Sequence, residues 1–296
     1  MTDPWKGDYP GLPVRVVQAE TPPSWVGRLL DGAPMSKPEF FDDGGTLRTA
    51  LADRFTLVEA FVPGAAAHGA GSLERASEEA YLRIARAMER TDTPHPVRFW
   101  NFVPRILETG ETGGLLYEAF NRGRFKAFKA WFGQQEFASR ITAATGVGHR
   151  GEGLVVLGLA GARSGDSVEN PRQTPAYQYS DDFGDLPPCF ARATRLARGP
   201  LLVSGTAAVV GEESMHPEDV EAQSRETFSN MDELAGGPEK YSELRVYVVR
   251  DDDAGPVLEQ VRDHFPNLIS VELCPADLCR QDLLVEIEGI AGRIEP

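Results

Sequence analysis

Pro187–Ser214 reads PPCFARATRLARGPLLVSGTAAVVGEES, and Leu283–Pro296 closes the chain with LLVEIEGIAGRIEP. The order of elements within and between these two stretches decides the fold. A Pro-rich entry leads into an apolar strand that ends in Ser204-Gly205-Thr206. A helix then carries Gln223, Glu226 and Asn230 at one-turn spacing. YSELRVYVV (Tyr241–Val249) makes a second strand and a short helix follows. On the last strand Leu284, Glu286 and Glu288 share one face while Val285 and Ile287 take the other. The pattern is α+β, and the Pro-rich entry divides an N-terminal α+β domain, residues 1–185, from a C-terminal domain, residues 186–296.

Upstream, residues 1–45 are rich in Pro and Gly and hold no long periodic pattern beyond a strand at Val14–Gln18, so they are expected to wrap the surface. Arg54–Phe61, Val97–Phe102 and Gly153–Leu159 read as strands. Ser72–Glu89 reads as a helix capped by Ser72, with Ala76, Ala80, Ile84 and Met88 on one face, and Leu115–Phe132 as a second helix with an aromatic face. Ala162–Pro188 is a long irregular segment holding six Pro and Gly residues together with Tyr177, Tyr179 and Phe183. Loops of that length in compact domains usually carry function.

The formal charge of −15 excludes nucleic acid as the expected partner, since phosphate binding draws on a basic surface. The charge is unevenly placed. Residues 90–200 hold 14 Lys and Arg against 11 Asp and Glu, so positive potential can gather in one cleft and hold a small anion. The same arginines could equally be paired across the surface. No apolar run is long enough for a bilayer, and MTDPWKGDYPGLP has neither the basic nor the apolar part of a secretory signal, so no membrane partner is expected. Cys189, Cys274 and Cys279 form no disulfide framework or zinc set, which fits a reducing cytoplasm. The five histidines have no metal-ligand spacing, and no metal is expected.

The strand, helix, strand, helix, strand order of the C-terminal third resembles one subunit of the Rid (YjgF) family, a small α+β fold that builds ligand sites between neighbouring copies. The upstream elements resemble a second, elaborated copy. Two fused units would fill part of a Rid trimer internally, so a monomer is expected. Rid deaminases place an arginine about fifteen residues before the first glutamate of their terminal motif. Here that position is Val271, so an imine deaminase site is not expected.

SVENPRQTPAYQYSDDFGDLPPCFARA, with RFWNFVP (Arg98–Pro104), YEAFNRGRFKAF (Tyr117–Phe128) and SGTAAVVGEES (Ser204–Ser214), is similar to the chorismatase family over about Arg98–Ala291. That resemblance implies a cofactor-free, soluble enzyme that cleaves the enolpyruvyl ether of chorismate. The products would be pyruvate and either a hydroxybenzoate or a dihydroxycyclohexadiene carboxylate.

The chemistry sets its own demands. Two substrate carboxylates call for fixed cations, and the planar fork of arginine suits them better than lysine. Arg172 and Arg192 lie in the blocks that carry the resemblance, and Arg124 follows the glycine of FNRGR. Gln173 and Tyr177 are placed to position the ring. Protonating the enolpyruvyl methylene carbon needs a carboxylic acid kept neutral by burial. The strand pattern alone would put Glu286 and Glu288 in water. The terminal VEIE motif of the Rid-like fold puts its first glutamate at the ligand site, which selects Glu286. Cys279 and Ala207 are expected to wall the same cleft, and a cysteine at this position resembles the 3-hydroxybenzoate-forming subgroup. The alternatives are a divergent member acting on another enolpyruvyl or cyclohexadiene carboxylate, and a catalytically silent Rid-like protein binding an anionic metabolite.

Overall fold

The computed structural model describes residues 11–111, 113–133, 137–197 and 199–294. The first ten residues, part of the stretch read as a surface wrap without a secretory signal, lie outside them. The first half contains β1 (Val14–Val16), α1 (Ser24–Leu29), β2 (Glu39–Phe40), β3 (Thr46–Leu51), β4 (Phe55–Val62), α2 (Ala70–Met88), β5 (His95–Pro104), α3 (Leu116–Phe132), β6 (Ala143–His149) and β7 (Leu154–Gly161). Then come β8 (Asp166–Val168), β9 (Ala193–Arg195), β10 (Leu201–Ala207) and the short pair β11 (Val209–Val210) and β12 (Glu213–Ser214). The chain ends with α4 (Val220–Ala235), β13 (Tyr241–Val248), α5 (Ala254–His264), β14 (Ser270–Pro275) and β15 (Val285–Ala291).

Apart from the separate β11-β12 pair, these strands form two sheets, ordered β2-β3-β4-β7-β5-β6 and β1-β14-β13-β15-β10-β9-β8. A common plan underlies both. An antiparallel hairpin (β3-β4 or β9-β10) is followed by a helix, a strand, a helix and two strands, with one parallel pair, β5-β6 or β13-β14. The fold is therefore α+β, a Rid/YjgF-like C-terminal unit joined to a related N-terminal one. Strand pairing does not follow a division at 185/186, because β1 and β8 both join the second sheet.

Four helices, α2 to α5, lie outside. α2 and α3 cover the first sheet through Leu73, Ala80, Ile84, Phe120 and Phe128, and α4 and α5 cover the second through Phe228, Met231, Val257 and Val261. Between the sheets a third apolar layer joins Leu57, Trp100, Leu157 and Leu159 to Leu202, Tyr247, Cys274 and Ile290. Trp25, Val26, Leu29 and Leu30 of the α1 segment fill part of this layer, with Trp25 and Trp100 ring centroids 5.6 Å apart.

Ser72 does not cap α2. The helix begins two residues earlier at Ala70, after Gly69 turns the chain at φ 72°, and the Ser72 hydroxyl donates to the carbonyls of Ala65 (2.7 Å) and Gly69 (3.0 Å). α4 starts from Asp219, whose carboxylate accepts the Ala222 N–H at 2.9 Å, and ends at left-handed Gly236. Its polar face is structural. Gln223 donates to Asp282 O (2.6 Å) and accepts the Leu284 N–H (2.8 Å), and Asn230 donates to the carbonyls of Ala207 (3.1 Å) and Val209 (2.9 Å). These bonds hold the end of β10 and the start of β15 against the helix.

Candidate active site

The two sheets meet where β6, the edge of the first, runs beside β9 and β10 of the second. Backbone pairing between them is limited to Ala143 and Ala191, so side-chain hydroxyls complete the seam. Ala143 N–H donates to Thr194 Oγ1 (2.7 Å), Ala144 N–H to Ser204 Oγ (3.0 Å) and Gly205 N–H to Thr145 Oγ1 (3.0 Å). Each would otherwise be a costly unpaired amide at a covered edge. The register of β10 on β15 breaks between Val203 and Thr206. A bulge there opens the strand, and a cavity of about 150 Å³ lies alongside.

Glu286 faces this cavity from β15, opposite Ala207 on β10 and Tyr247 on β13. It is 5% exposed. Burial, and next the charge of Glu288, push its carboxyl up to about 8, against the pull of Arg98 and Arg192. Such an acid holds its proton at neutral pH. Cys279 lies close by, and its thiol is pushed to about 12 by burial and then by Glu286. It is a wall residue, not a nucleophile.

Three arginines reach the cavity from three elements, and none has an ion-pair partner among the described residues. Arg124 on α3 is 2% exposed and donates to Asn121 Oδ1 at 2.8 Å, while its Nε has no hydrogen-bond partner. Arg192, 5% exposed, donates to Thr174 O and to the Tyr179 hydroxyl, both at 2.7 Å, and its Nε is also unpartnered. Arg280, in the loop before β15, donates to Glu212 O at 2.7 Å and lies 4.1 Å over the Phe183 ring. Buried cations without counter-ions are costly unless an anion joins them.

The irregular segment from 162 to 188 roofs the cavity with Gln173, Tyr179, Asp182 and Phe183. Gln173 donates to Val209 O at 3.2 Å, and its Oε1 is buried and free to accept a donor. The structure thus gathers Glu286, Arg192, Arg124, Gln173, Ala207 and Cys279 around one cavity. It does not bring Arg172 or Tyr177 to the wall. The Arg172 guanidinium is drawn 2.5 Å from Glu226 on α4, and its N–H and C=O serve the turn by bonding Asn170 Oδ1 and Gly211 N–H. Tyr177 packs against the helix-side core of the first unit.

Sequence reasoning missed Tyr117, Thr145 and Arg280, all of which line the cavity. Tyr117 opens the block YEAFNRGRFKAF, which carries the resemblance but gives it no role, while Thr145 and Arg280 carry no local signal. Glu288 is not in water either. It is 2% exposed, ion-paired with Arg98 at 2.5 Å and bonded by the indole of Trp100 and the hydroxyl of Thr145.

A family model described as "Chorismatase FkbO/Hyg5-like, N-terminal" matches residues 45–160. A 3-hydroxybenzoate synthase of Streptomyces hygroscopicus is 36% identical over 242 residues, 74% of this chain and 70% of that protein. A chorismatase of the same species is 32% identical over 75% of this chain and 69% of its own. A crystal structure of a chorismatase superposes with a TM-score of 0.74 at 27% identity, covering 87% of this chain and 80% of that one. The chain belongs to the chorismatase family.

Proposed function

We propose that this enzyme cleaves the enolpyruvyl ether of chorismate and releases pyruvate, with 3-hydroxybenzoate as the ring product. The observation that supports it most is a buried carboxyl, held in its acid form by burial, in a cavity shared with three arginines that lack ion-pair partners among the described residues. An acid and fixed cations in one cavity are what protonation of a dianionic enol ether requires.

Arg124, Arg192 and Arg280 supply the cationic groups for the two carboxylates, and the free Gln173 Oε1 accepts from the ring hydroxyl. Glu286 gives its proton to the terminal methylene carbon of the enolpyruvyl group. The electron pair of that double bond forms the new C–H bond, leaving an oxocarbenium ion and the Glu286 carboxylate. Capture by water and collapse of the hemiketal would yield pyruvate and a dihydroxycyclohexadiene carboxylate. Pyruvate and 3-hydroxybenzoate together contain the atoms of chorismate with no water added, so this outcome suits a site closed to water. Cys279, Ala207, Leu283 and Phe190 wall the cavity with little hydrogen-bonding capacity. The enzyme is proposed to work as a monomer in the cytoplasm.

Pyruvate release from chorismate, followed with lactate dehydrogenase, tests the proposal, and chromatography of the aromatic product assigns the ring chemistry. Tight chorismate binding without release would instead favour an anionic-metabolite binding protein. Neither binding nor release would point to another enolpyruvyl or cyclohexadiene carboxylate.

A further inference from the structure

Glu288 lies two residues beyond Glu286 on the same face of β15, and the reaction above gives it no part. It does not line the cavity. Arg98 Nη2 donates to its Oε2 at 2.5 Å, Trp100 Nε1 lies 2.9 and 3.0 Å from its two oxygens, and the Thr145 hydroxyl donates to Oε2. Arg98 is 1% exposed and Trp100 fully buried. Three side chains from two strands, β5 and β6, therefore fix one carboxylate in place. Thr145 also accepts the Gly205 N–H, which ties that carboxylate to the cavity wall.

The other ionisable groups around Glu286 sort cleanly. Arg98 from β5 and Arg192 from the segment before β9 are cations, which favour its ionised form. Cys279 from the loop before β15 is held neutral, with burial and then Glu286 itself pushing its thiol to about 12. Tyr117 from α3 is held neutral, chiefly by burial, with its hydroxyl raised above its ordinary range. Tyr247, the neighbour of Glu286 on β13, is held neutral chiefly by burial. Arg124, Arg280, Glu118 and Asp182 line the same cavity, and Glu288 is the carboxylate whose charge acts on Glu286.

We propose that Glu288 is a positioning residue of the reaction: a buried negative charge, fixed by Arg98, Trp100 and Thr145, that keeps the neighbouring Glu286 carboxyl in its acid form without touching substrate. The spacing fits, because alternate residues on a strand lie roughly 7 Å apart. A like charge at that distance, in an effective dielectric near 20, moves a carboxyl by roughly one to two pH units. The inference rests on Glu286 being the proton donor.

The test is the pH dependence of kcat in E288Q, E288D and R98M/E288Q. E288Q leaves the Arg98 charge unopposed, so the basic limb should fall furthest, by at least about one pH unit. R98M/E288Q removes both charges and should lie between E288Q and wild type. E288D keeps the charge and should keep the limb within about half a unit. The KM for chorismate should change less than about threefold in all three. Because R98M/E288Q leaves no unpaired buried charge, it carries the test should E288Q fail to fold. Limbs that coincide with wild type in the glutamine variants, whatever their melting temperatures, would overturn the proposal and leave Glu288 a purely structural residue. Failure of the underlying reading looks different, since E286Q would then turn over normally.

Discussion

Gly205 and the Glu286 carboxyl approach so closely that a methyl group on Gly205 would fall on Glu286 Oε1. The bulge in β10 brings this about, and it makes the glycine a requirement of space. Gly205→Ala should displace the acid while the sheets stay intact. An overpacked site costs about 1–3 kcal/mol, and a misplaced catalytic group loses up to about a hundredfold in rate. Steady-state kinetics should show kcat down by at least about tenfold, with a wild-type circular dichroism spectrum.

The raised pKa of Glu286 sets a pH dependence with a definite sign. Turnover requires the protonated form, so kcat should be level below about pH 7 and fall by about tenfold per unit above about pH 8. Stability follows the same proton. Folding lifts the pKa from 4.5 to about 8, so the folded state binds more protons across that window than the unfolded one. The stability contributed is full below pH 4.5 and is lost as pH rises through about 8. Glu286→Gln removes this linkage, so its melting temperature should decline less than that of wild type between pH 5 and 9.

The arginines separate by partner. Arg124→Ala and Arg192→Ala each remove a buried cation from the cavity, a charge-assisted contact worth roughly 1.5–3 kcal/mol. Chorismate affinity measured by calorimetry should therefore weaken by about ten- to a hundredfold. Arg172 already has Glu226, and its guanidinium lies off the wall. Arg172→Ala should change affinity by less than about fivefold, and loosening of the turn should instead show as faster proteolysis between residues 170 and 185.

Much of this was legible in the sequence, for physical reasons that differ by element. The 3.6-residue repeats of α2 and α3 mark faces buried in one direction, and such patterns survive in a single sequence. Strand β6, AATGVGH, has small residues and no alternation, because one side meets helices and the other meets the second sheet. Its Thr145 therefore gave no signal. Arg280 reaches the cavity from a loop whose path depends on both sheets. Arg172 is expected at the substrate because, like Arg192, it lies in a block that carries the resemblance, but Glu226 on α4 takes its charge. The strand pattern puts Glu288 on an outer face, and only its encounter with Arg98, Trp100 and Thr145 of the other unit shows why it is buried.

The duplicated plan also bears on why one unit carries acids at these strand positions and the other does not. With Arg98 matched to Arg245, the registers set Leu157 where Glu286 stands and Leu159 where Glu288 stands. Both leucines join the inter-sheet layer that Trp25, Val26, Leu29 and Leu30 fill. Arg245 is taken up by Glu272 at 2.5 Å and by Thr21 O at 2.6 Å, so the early segment and its own sheet consume the charge that the matching Arg98 directs at Glu288.

Glu286→Gln, assayed in parallel for chorismate binding by calorimetry and for pyruvate release, separates chemistry from recognition. The amide keeps the size of the side chain but holds no proton it can give. Binding should stay within about threefold of wild type while turnover falls by about two to four orders of magnitude, the usual contribution of a positioned general acid. A variant that releases pyruvate at the wild-type rate would contradict the account and place the proton donor elsewhere in the cavity.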